Sequence, residues 1–227
     1  KILRGIVSKY EKQVEFIYLL LENFSGPSGI VRPCRTDDYY CIGENLAANS
    51  YCNLQVEGRL PSEYIITAFP FETPYFNASY VDNNLFVRNL DKCFVSEFFY
   101  NLDTDNAVLG VRCRDLEFQS NRTLTQHYPE REDVTYSYEY RGVYPEIILT
   151  VNLLPANKIN LCTSNTFAYV SALPKFFIDP KDKKTSNFLS TDLSYLNIFE
   201  REATEERADQ LLRYFVNKKL CNFGCDF

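Results

Sequence analysis

An α+β fold, a curved antiparallel β-sheet flanked by an N-terminal and a C-terminal helix and braced by disulfides, is predicted by three features of this sequence. Between residues 64 and 177, Phe, Tyr, Val, Ile and Thr dominate and turn residues recur about every ten positions, as in a sheet built from hairpins. Apolar residues at helical spacing lie before and after that region. Eight cysteines are spread along the chain, an even number without the paired spacing of a zinc ribbon.

Residues 1–24 place Leu3, Val7, Tyr10, Val14, Ile17 and Leu21 at alternating steps of four and three, so one face of a helix is apolar and the others are charged. That stripe either packs on the chain's own domain or docks a partner. Ser25-Gly26-Pro27-Ser28-Gly29 breaks the helix, and 25–227 reads as a single disulfide-braced glycoprotein domain. Between Cys34 and Cys52, Asp37-Asp38 marks the start of a small helix carrying Ile42, Leu46 and Ala47.

Within the sheet, Phe94–Tyr100 and Ala107–Phe118 flank a polar turn at 101–106 and form a hairpin. Leu109, Val111 and Cys113 share one phase, whereas Leu116 and Phe118 share the other, which predicts a bulge at Arg114-Asp115. Val134, Tyr136, Tyr138 and Tyr140 alternate with Thr135, Ser137, Glu139 and Arg141, so a row of rings covers the core and sends its hydroxyls to the sheet edge. Ile147–Val151 reads as a further strand, and Thr166–Ile178 as one or two more, broken at Pro174. A helix over Leu193–Leu220 follows, with Leu196, Phe199, Ala203, Leu211, Leu212 and Phe215 on its apolar side, stitched down by Cys221 and Cys225.

Composition narrows the function. At 227 residues with 45% hydrophobic and 24% charged, the chain suits one globular domain and excludes disorder or collagen-like repetition. No apolar run approaches the ~18–20 residues of a membrane-spanning helix, and a net charge of −6 argues against nucleic acid or anionic lipid as partner. The cysteines, with sequons at Asn23, Asn77 and Asn121, point to the secretory pathway. A first residue Lys1 and no methionine anywhere add the expectation that a signal peptide has been removed.

Catalytic signatures are sparse. The one histidine, His127, lies in no recognisable nucleophile context, there is no Gly-x-Ser-x-Gly turn, and no glycine loop cradles phosphate. Nothing selects two carboxylates for glycoside hydrolysis. Asp103 and Asp105 resemble the start of a calcium loop but lack its glycine and distal glutamate. The Cys221/Cys225 spacing is nearer to a structural pair than to a redox Cys-x-x-Cys. The residues therefore describe a secreted binding or structural protein with no catalytic residue, metal or cofactor.

Longer strings carry a resemblance. Arg32-Pro33-Cys34, Asp37-Asp38, Cys41-Ile42, Leu46-Ala47-Ala48-Asn49-Ser50, Pro61-Ser62-Glu63-Tyr64 and Phe71-Glu72-Thr73-Pro74-Tyr75-Phe76-Asn77 are similar to the fibrohexamerin family, the glycoprotein subunits of lepidopteran silk fibroin. The likeness continues through Val95-Ser96-Glu97-Phe98, Ser120-Asn121-Arg122-Thr123-Leu124, Gln126-His127-Tyr128, Tyr136-Ser137-Tyr138, Tyr140-Arg141-Gly142 and Ile198-Phe199-Glu200-Arg201-Glu202. It implies a non-enzymatic subunit of the secreted fibroin complex, in the silk gland lumen and the fibre. Such a subunit associates non-covalently with fibroin heavy-chain/light-chain pairs and acts chaperone-like on the heavy chain. Glycosylation carries over to Asn77 and Asn121, which lie in matched strings, whereas Asn23 lies outside them.

Under that reading Cys34, Cys41, Cys52, Cys93, Cys113, Cys162, Cys221 and Cys225 close internally, with 105 connectivities open. A Cys34–Cys41 bond and a bond fastening the 221/225 end to the sheet are the expected members. Candidate contact surfaces are the 1–24 stripe, an unglycosylated sheet edge and the tyrosine strand. A second likeness, to juvenile-hormone-binding and takeout carriers, rests on Pro33-Cys34 with Cys41, an early helix, a long sheet and a late helix. It implies rings that line or plug a tunnel for an apolar ligand.

Overall fold

The computed structural model describes residues 29, 32–55, 58–73, 77–172, 174–177, 183 and 193–225, with backbone alone at 175–177 and 193–199. The predicted helix 1–24, its stripe and Asn23 lie outside the described residues.

Asp38 starts the first helix, α1 (Tyr39–Ala48), by accepting the Cys41 N–H in its side chain, which satisfies one of the donors a helix start leaves open. A short strand β1 (Asn53–Leu54) leads into β2 (Glu63–Thr73), β3 (Ala78–Arg88), β4 (Phe94–Asn101), β5 (Asn106–Gln126) and β6 (Val134–Asn152). β7 (Thr166–Val170) and β8 (Lys175–Phe177) follow. Helix α2 (Leu193–Lys219) and a two-residue β9 (Cys221–Asn222) close the described chain. Among the described residues no helix is long and apolar enough to cross a membrane.

The spine of the sheet is the β5–β6 hairpin, whose 21-residue first strand spans roughly 65–70 Å at about 3.3 Å per residue. Neither spine strand keeps one partner along its length. β5 pairs with β4 over its first part and with β3 over its last, giving a β2-β3-β5-β6-β7 path with β4 and β8 beside it. β6 likewise pairs with β8 at Arg141–Val143 and with β7 at Ile147–Val151. The segments expected as separate strands at 134–141 and 147–151 are thus one continuous β6.

The change of partner falls where the apolar phase breaks. Buried positions run Ala107, Leu109, Val111 and Cys113, then Leu116, Phe118, Ser120, Arg122 and Leu124. The phase break is where the sequence places it, but it is not a bulge against β6. Arg114 pairs with Glu146 and Leu116 with Tyr144 with no slip in register, and β6 switches phase in step, from Tyr140 and Tyr144 to Ile147, Leu149 and Val151. Asp115 sits left-handed at φ 52°, opposite Pro145, which has no N–H to give. The two strands therefore turn over together, and Asn89 fills the junction by donating to the Asp115 carbonyl at 2.8 Å.

Helix α2 lies on the face those buried residues define. Ala203, Ala208, Leu211, Leu212, Phe215 and Val216 are fully buried on it, in clusters shared with Leu109, Phe118, Leu149 and, near Ala203, with Phe71, Tyr80 and Leu124. Four disulfides close the unit. Cys34–Cys41 ties the approach of α1 to its first turn and Cys93–Cys113 joins the start of β4 to β5. The 221/225 end, expected to be fastened by a bond to the sheet, is fastened by two: Cys221 bonds Cys52 across the β1–β9 ladder, and Cys225 bonds Cys162 in the 3-10 turn (Leu161–Thr163) before β7.

Candidate functional site

The densest polar chemistry lies under α2, where no sequence pattern announces it. β3 and β5 set Asp82 directly opposite Arg122, and period-two alternation turns both side chains toward the helix. Helix α2 adds Glu200 and Arg207, seven residues apart and so on one face about 10.5 Å apart along the axis. The four side chains are at most 2% exposed, and their formal charges sum to zero.

Geometry saturates the carboxylates. Arg122 donates to Asp82 from Nε at 2.7 Å and to Glu200 from Nη1 at 2.6 Å, and Ser120 donates its hydroxyl to Asp82 at 2.8 Å. Arg207 donates to the second oxygen of Asp82. Glu200 also takes the hydroxyls of Tyr140 and Tyr144, each at 2.7 Å. Aromatic faces complete the shell: the Arg122 guanidinium stands 3.7 Å from the Tyr140 ring centre and that of Arg207 5.0 Å from Phe118 and 5.4 Å from Phe71. Among the described residues Arg207 Nε and Nη1 meet no oxygen partner, and these ring faces lie against the guanidinium instead.

Electrostatics follow. Burial opposes the charge on Asp82, but the Arg122 and Arg207 guanidiniums with the bonds from Arg122 and Ser120 outweigh it and hold its carboxyl well below the usual range. Burial likewise opposes the Arg122 charge, and Asp82 and Glu200 reverse that, so its pKa rises. Burial, reinforced by Glu200, raises the hydroxyls of Tyr140 and Tyr144, and burial pushes Tyr138 up to about 12. The tyrosine row therefore does not send all its hydroxyls to the edge: Tyr140 points its own inward. Gly142 makes room for it, because a Cβ there would lie 2.5 Å from the Tyr140 oxygen.

An alkaline titration reads this arrangement. Raised folded-state values mean that the unfolded chain releases tyrosyl protons first, near pH ~10. The stability that Tyr138 contributes is full below that pH and is lost as pH rises through about 12. Absorbance at 295 nm is expected to show the Tyr138/Tyr140/Tyr144 set ionising only as circular dichroism reports unfolding. A single transition near pH ~10 with the fold intact contradicts the arrangement.

The single histidine also has partners that the sequence did not suggest. His127 Nε2 lies 2.9 Å from the Ser79 hydroxyl and Nδ1 lies 2.7 Å from Asp133, which also accepts the Tyr128 N–H. That is the order of a nucleophile, a base and its orienting acid. Acyl transfer also needs backbone donors aimed at a developing oxyanion, however. Ala78, Ser79 and Tyr80 sit inside a strand laddered to β2 on one side and β5 on the other, so the N–H groups around Ser79 are engaged there. The trio instead fastens the 127–133 turn to β3.

The glycosylation candidates sit apart from the charged cluster. Asn77 occupies an exposed left-handed turn at φ 50°, its amide donating to the His127 carbonyl at 3.1 Å. Asn121 is exposed on β5, and the same alternation that buries Arg122 turns it to the opposite face of the sheet. Asp105 uses its carboxylate to accept the Ala156 N–H at 2.7 Å, while Asp103 is exposed.

The described residues thus define a disulfide-clasped α+β protein whose densest polar cluster is a structural centre, closed to solvent and neutral in formal charge. Comparison with known proteins names the class further. The Fibroin P25 family matches residues 30–225. A Galleria mellonella protein, "Fibrohexamerin", is 57% identical over 202 residues, covering 88% of this chain and 93% of that protein. Among solved structures, Epiphyas postvittana Takeout 1 overlays with a TM-score of 0.45 at 12% identity, over 68% of this chain and 74% of that one. The chain belongs to the Fibroin P25 family, which places it among silk fibroin components.

Proposed function

We propose that this chain is a secreted, non-enzymatic subunit of the fibroin complex. It binds heavy-chain/light-chain pairs without covalent links and keeps the heavy chain soluble through assembly and secretion. The observation that carries the reading, beyond family membership, is that all eight cysteines close on one another within the chain. No thiol remains for a mixed disulfide, so association has to rest on surface contacts. Glycans at Asn77 and Asn121, with a net charge of −6, supply solubility to an aggregation-prone companion. Each glycan also removes its surroundings from the centre of any interface.

A carrier needs open space between sheet and helix. Here Arg122, Arg207, Phe118 and Tyr144 occupy that layer at 2% exposure or less, which favours the subunit reading. Mass spectrometry of the native protein with its co-purifying chains tests both. Denaturant without reductant is expected to release large fibroin chains from this one. A mixed disulfide surviving denaturant, or a lone monomer carrying an apolar ligand, overturns the proposal.

A further inference from the structure

An N-glycosylation acceptor is expected in a surface loop, where a transferase can take up the asparagine amide and the Ser/Thr hydroxyl together. Neither sequon within the described residues keeps that form in the fold. Asn121, Arg122 and Thr123 lie in the middle of β5, paired with Asn83, Asp82 and Val81 of β3 on one side and with Glu139, Tyr138 and Ser137 of β6 on the other. The central residue, Arg122, is 2% exposed and bonded to Asp82 and Glu200. At the first sequon both recognition groups are spent on one residue: the Asn77 amide donates to the His127 carbonyl at 3.1 Å, and the Ser79 hydroxyl meets His127 Nε2 at 2.9 Å. His127 Nδ1 faces the Asp133 carboxylate at 2.7 Å, which only accepts, so Nε2 of the neutral ring accepts the hydrogen bond from the Ser79 hydroxyl.

One ladder holds both sites. Residues 78–83 of β3 pair with 121–126 of β5 without a slip, so Ser79 stands opposite Thr125 and Asn83 opposite Asn121. The His127 N–H then closes the end of this ladder on the Asn77 carbonyl at 2.9 Å. We propose that formation of the β3–β5 ladder ends glycosylation of this chain: Asn77 and Asn121 receive their glycans only before it closes, and the folded chain is no longer an acceptor. This inference rests on the glycoprotein reading above and adds the order of events.

In the transfer, the asparagine Nδ2 forms a bond to the anomeric carbon of an oligosaccharide carried on a lipid diphosphate. The bond from that carbon to the phosphate oxygen breaks, and the nitrogen gives up one proton as the lipid diphosphate leaves. The product amide keeps one N–H. At Asn77 that hydrogen still serves the His127 carbonyl, and Asn121 is exposed on the face opposite Arg122, so the finished fold carries both sugars although it cannot receive them. Synthesis order separates the two sites. Gln126, the last residue of the ladder, comes 49 residues after Asn77 and five after Asn121. At about 5–20 residues per second, Asn77 has roughly 2–10 s before its partner strand exists and Asn121 about 1 s or less. β3 is already made when β5 emerges, so Asn121 is the site that early closure leaves bare.

Acceptor assays on the full-length chain test it. The chain made in a bacterial host and refolded with its four disulfides is offered to microsomal membranes that hold the transferase and its lipid-linked donor, beside the same chain reduced and S-alkylated. Mass spectrometry of the Asn77 and Asn121 peptides reads occupancy. The alkylated chain is expected to be modified at both sites and the folded chain at least about tenfold more slowly, because each site then waits for the ladder to open. A second measurement needs no folded product. In secretory cells Val81→Pro, which breaks β3 where it pairs with both β2 and β5, should lower the unmodified fraction of Asn121 about threefold or more in the total chain. Ala168→Pro in β7, a strand made after both sites, should leave that fraction unchanged. Equal modification of folded and alkylated chains overturns the proposal, as does an unmodified fraction at Asn121 that is no larger than that at Asn77 or that Val81→Pro does not move. Absence of glycan at both sites from the alkylated chain and from the secreted one overturns the glycoprotein reading itself.

Discussion

Asp82→Ala is expected to lower the unfolding free energy by about 3–5 kcal/mol, because it leaves two guanidiniums buried around an uncompensated site. For a chain of this size that is a fall of about 6–20 °C in melting temperature. The argument turns on burial. Asp82 and Arg207 are 0% exposed, so water cannot repair the loss. Arg35 and Asp37, paired at 2.9 Å with side chains 84% and 68% exposed, make the control: removing either should change stability by less than about 1 kcal/mol.

Replacing both Asp82 and Arg207 by apolar residues should cost less than the sum of the two single replacements, with a coupling of about 0.5–3 kcal/mol. Such a network need not add net stability over a well-packed apolar core. Its effect is to fix how α2 lies on the sheet, since Glu200 and Arg207 find their partners in one register only. Urea titration of the cycle decides: a single-variant loss below about 1 kcal/mol means the cluster is not closed to water as described.

The second large effect belongs to the Cys52–Cys221 bond. It spans 169 residues, and chain entropy gives such a closure about 5 kcal/mol, against about 2.5 kcal/mol for Cys34–Cys41, which spans seven. Cys52→Ala/Cys221→Ala should therefore destabilise about twice as much as Cys34→Ala/Cys41→Ala, in guanidinium unfolding without reductant. The long bond also holds the β1–β9 ladder to which the end of α2 is attached, so its loss should raise amide exchange in 211–220 before the sheet is affected. Equal or reversed costs for the two variants would rule out this connectivity as the main brace.

Much of the fold was legible because its signals are local. The β4–β5 turn, the Asp38 cap, and the phase break at Arg114-Asp115 were readable within a few residues of where they act. The long helix was readable too, yet its apolar stripe jumps from Ala203 to Leu211, and Arg207 fills the gap on the same face. A charged residue in the middle of an apolar stripe was the one available sign of the buried cluster. Its counterparts offered less: Arg122 read as the middle of a sequon, and nothing local marks Asp82.

The sequence by itself determined the main element types, the disulfide-bonded state of the cysteines and the family, because period, capping and long residue strings are properties of neighbouring positions. Only the tertiary structure decided that each spine strand has two outer partners, that Cys221 and Cys225 bond to Cys52 and Cys162, and that His127 lies between Ser79 and Asp133. It also decided the charged centre. Arg122 meets Asp82 from 40 residues away and Glu200 from 78, while Arg207 meets Asp82 across 125. No local pattern encodes separations of that length. A charge can be buried only where the fold brings its counter-charge, so such a site is visible only after the chain has packed.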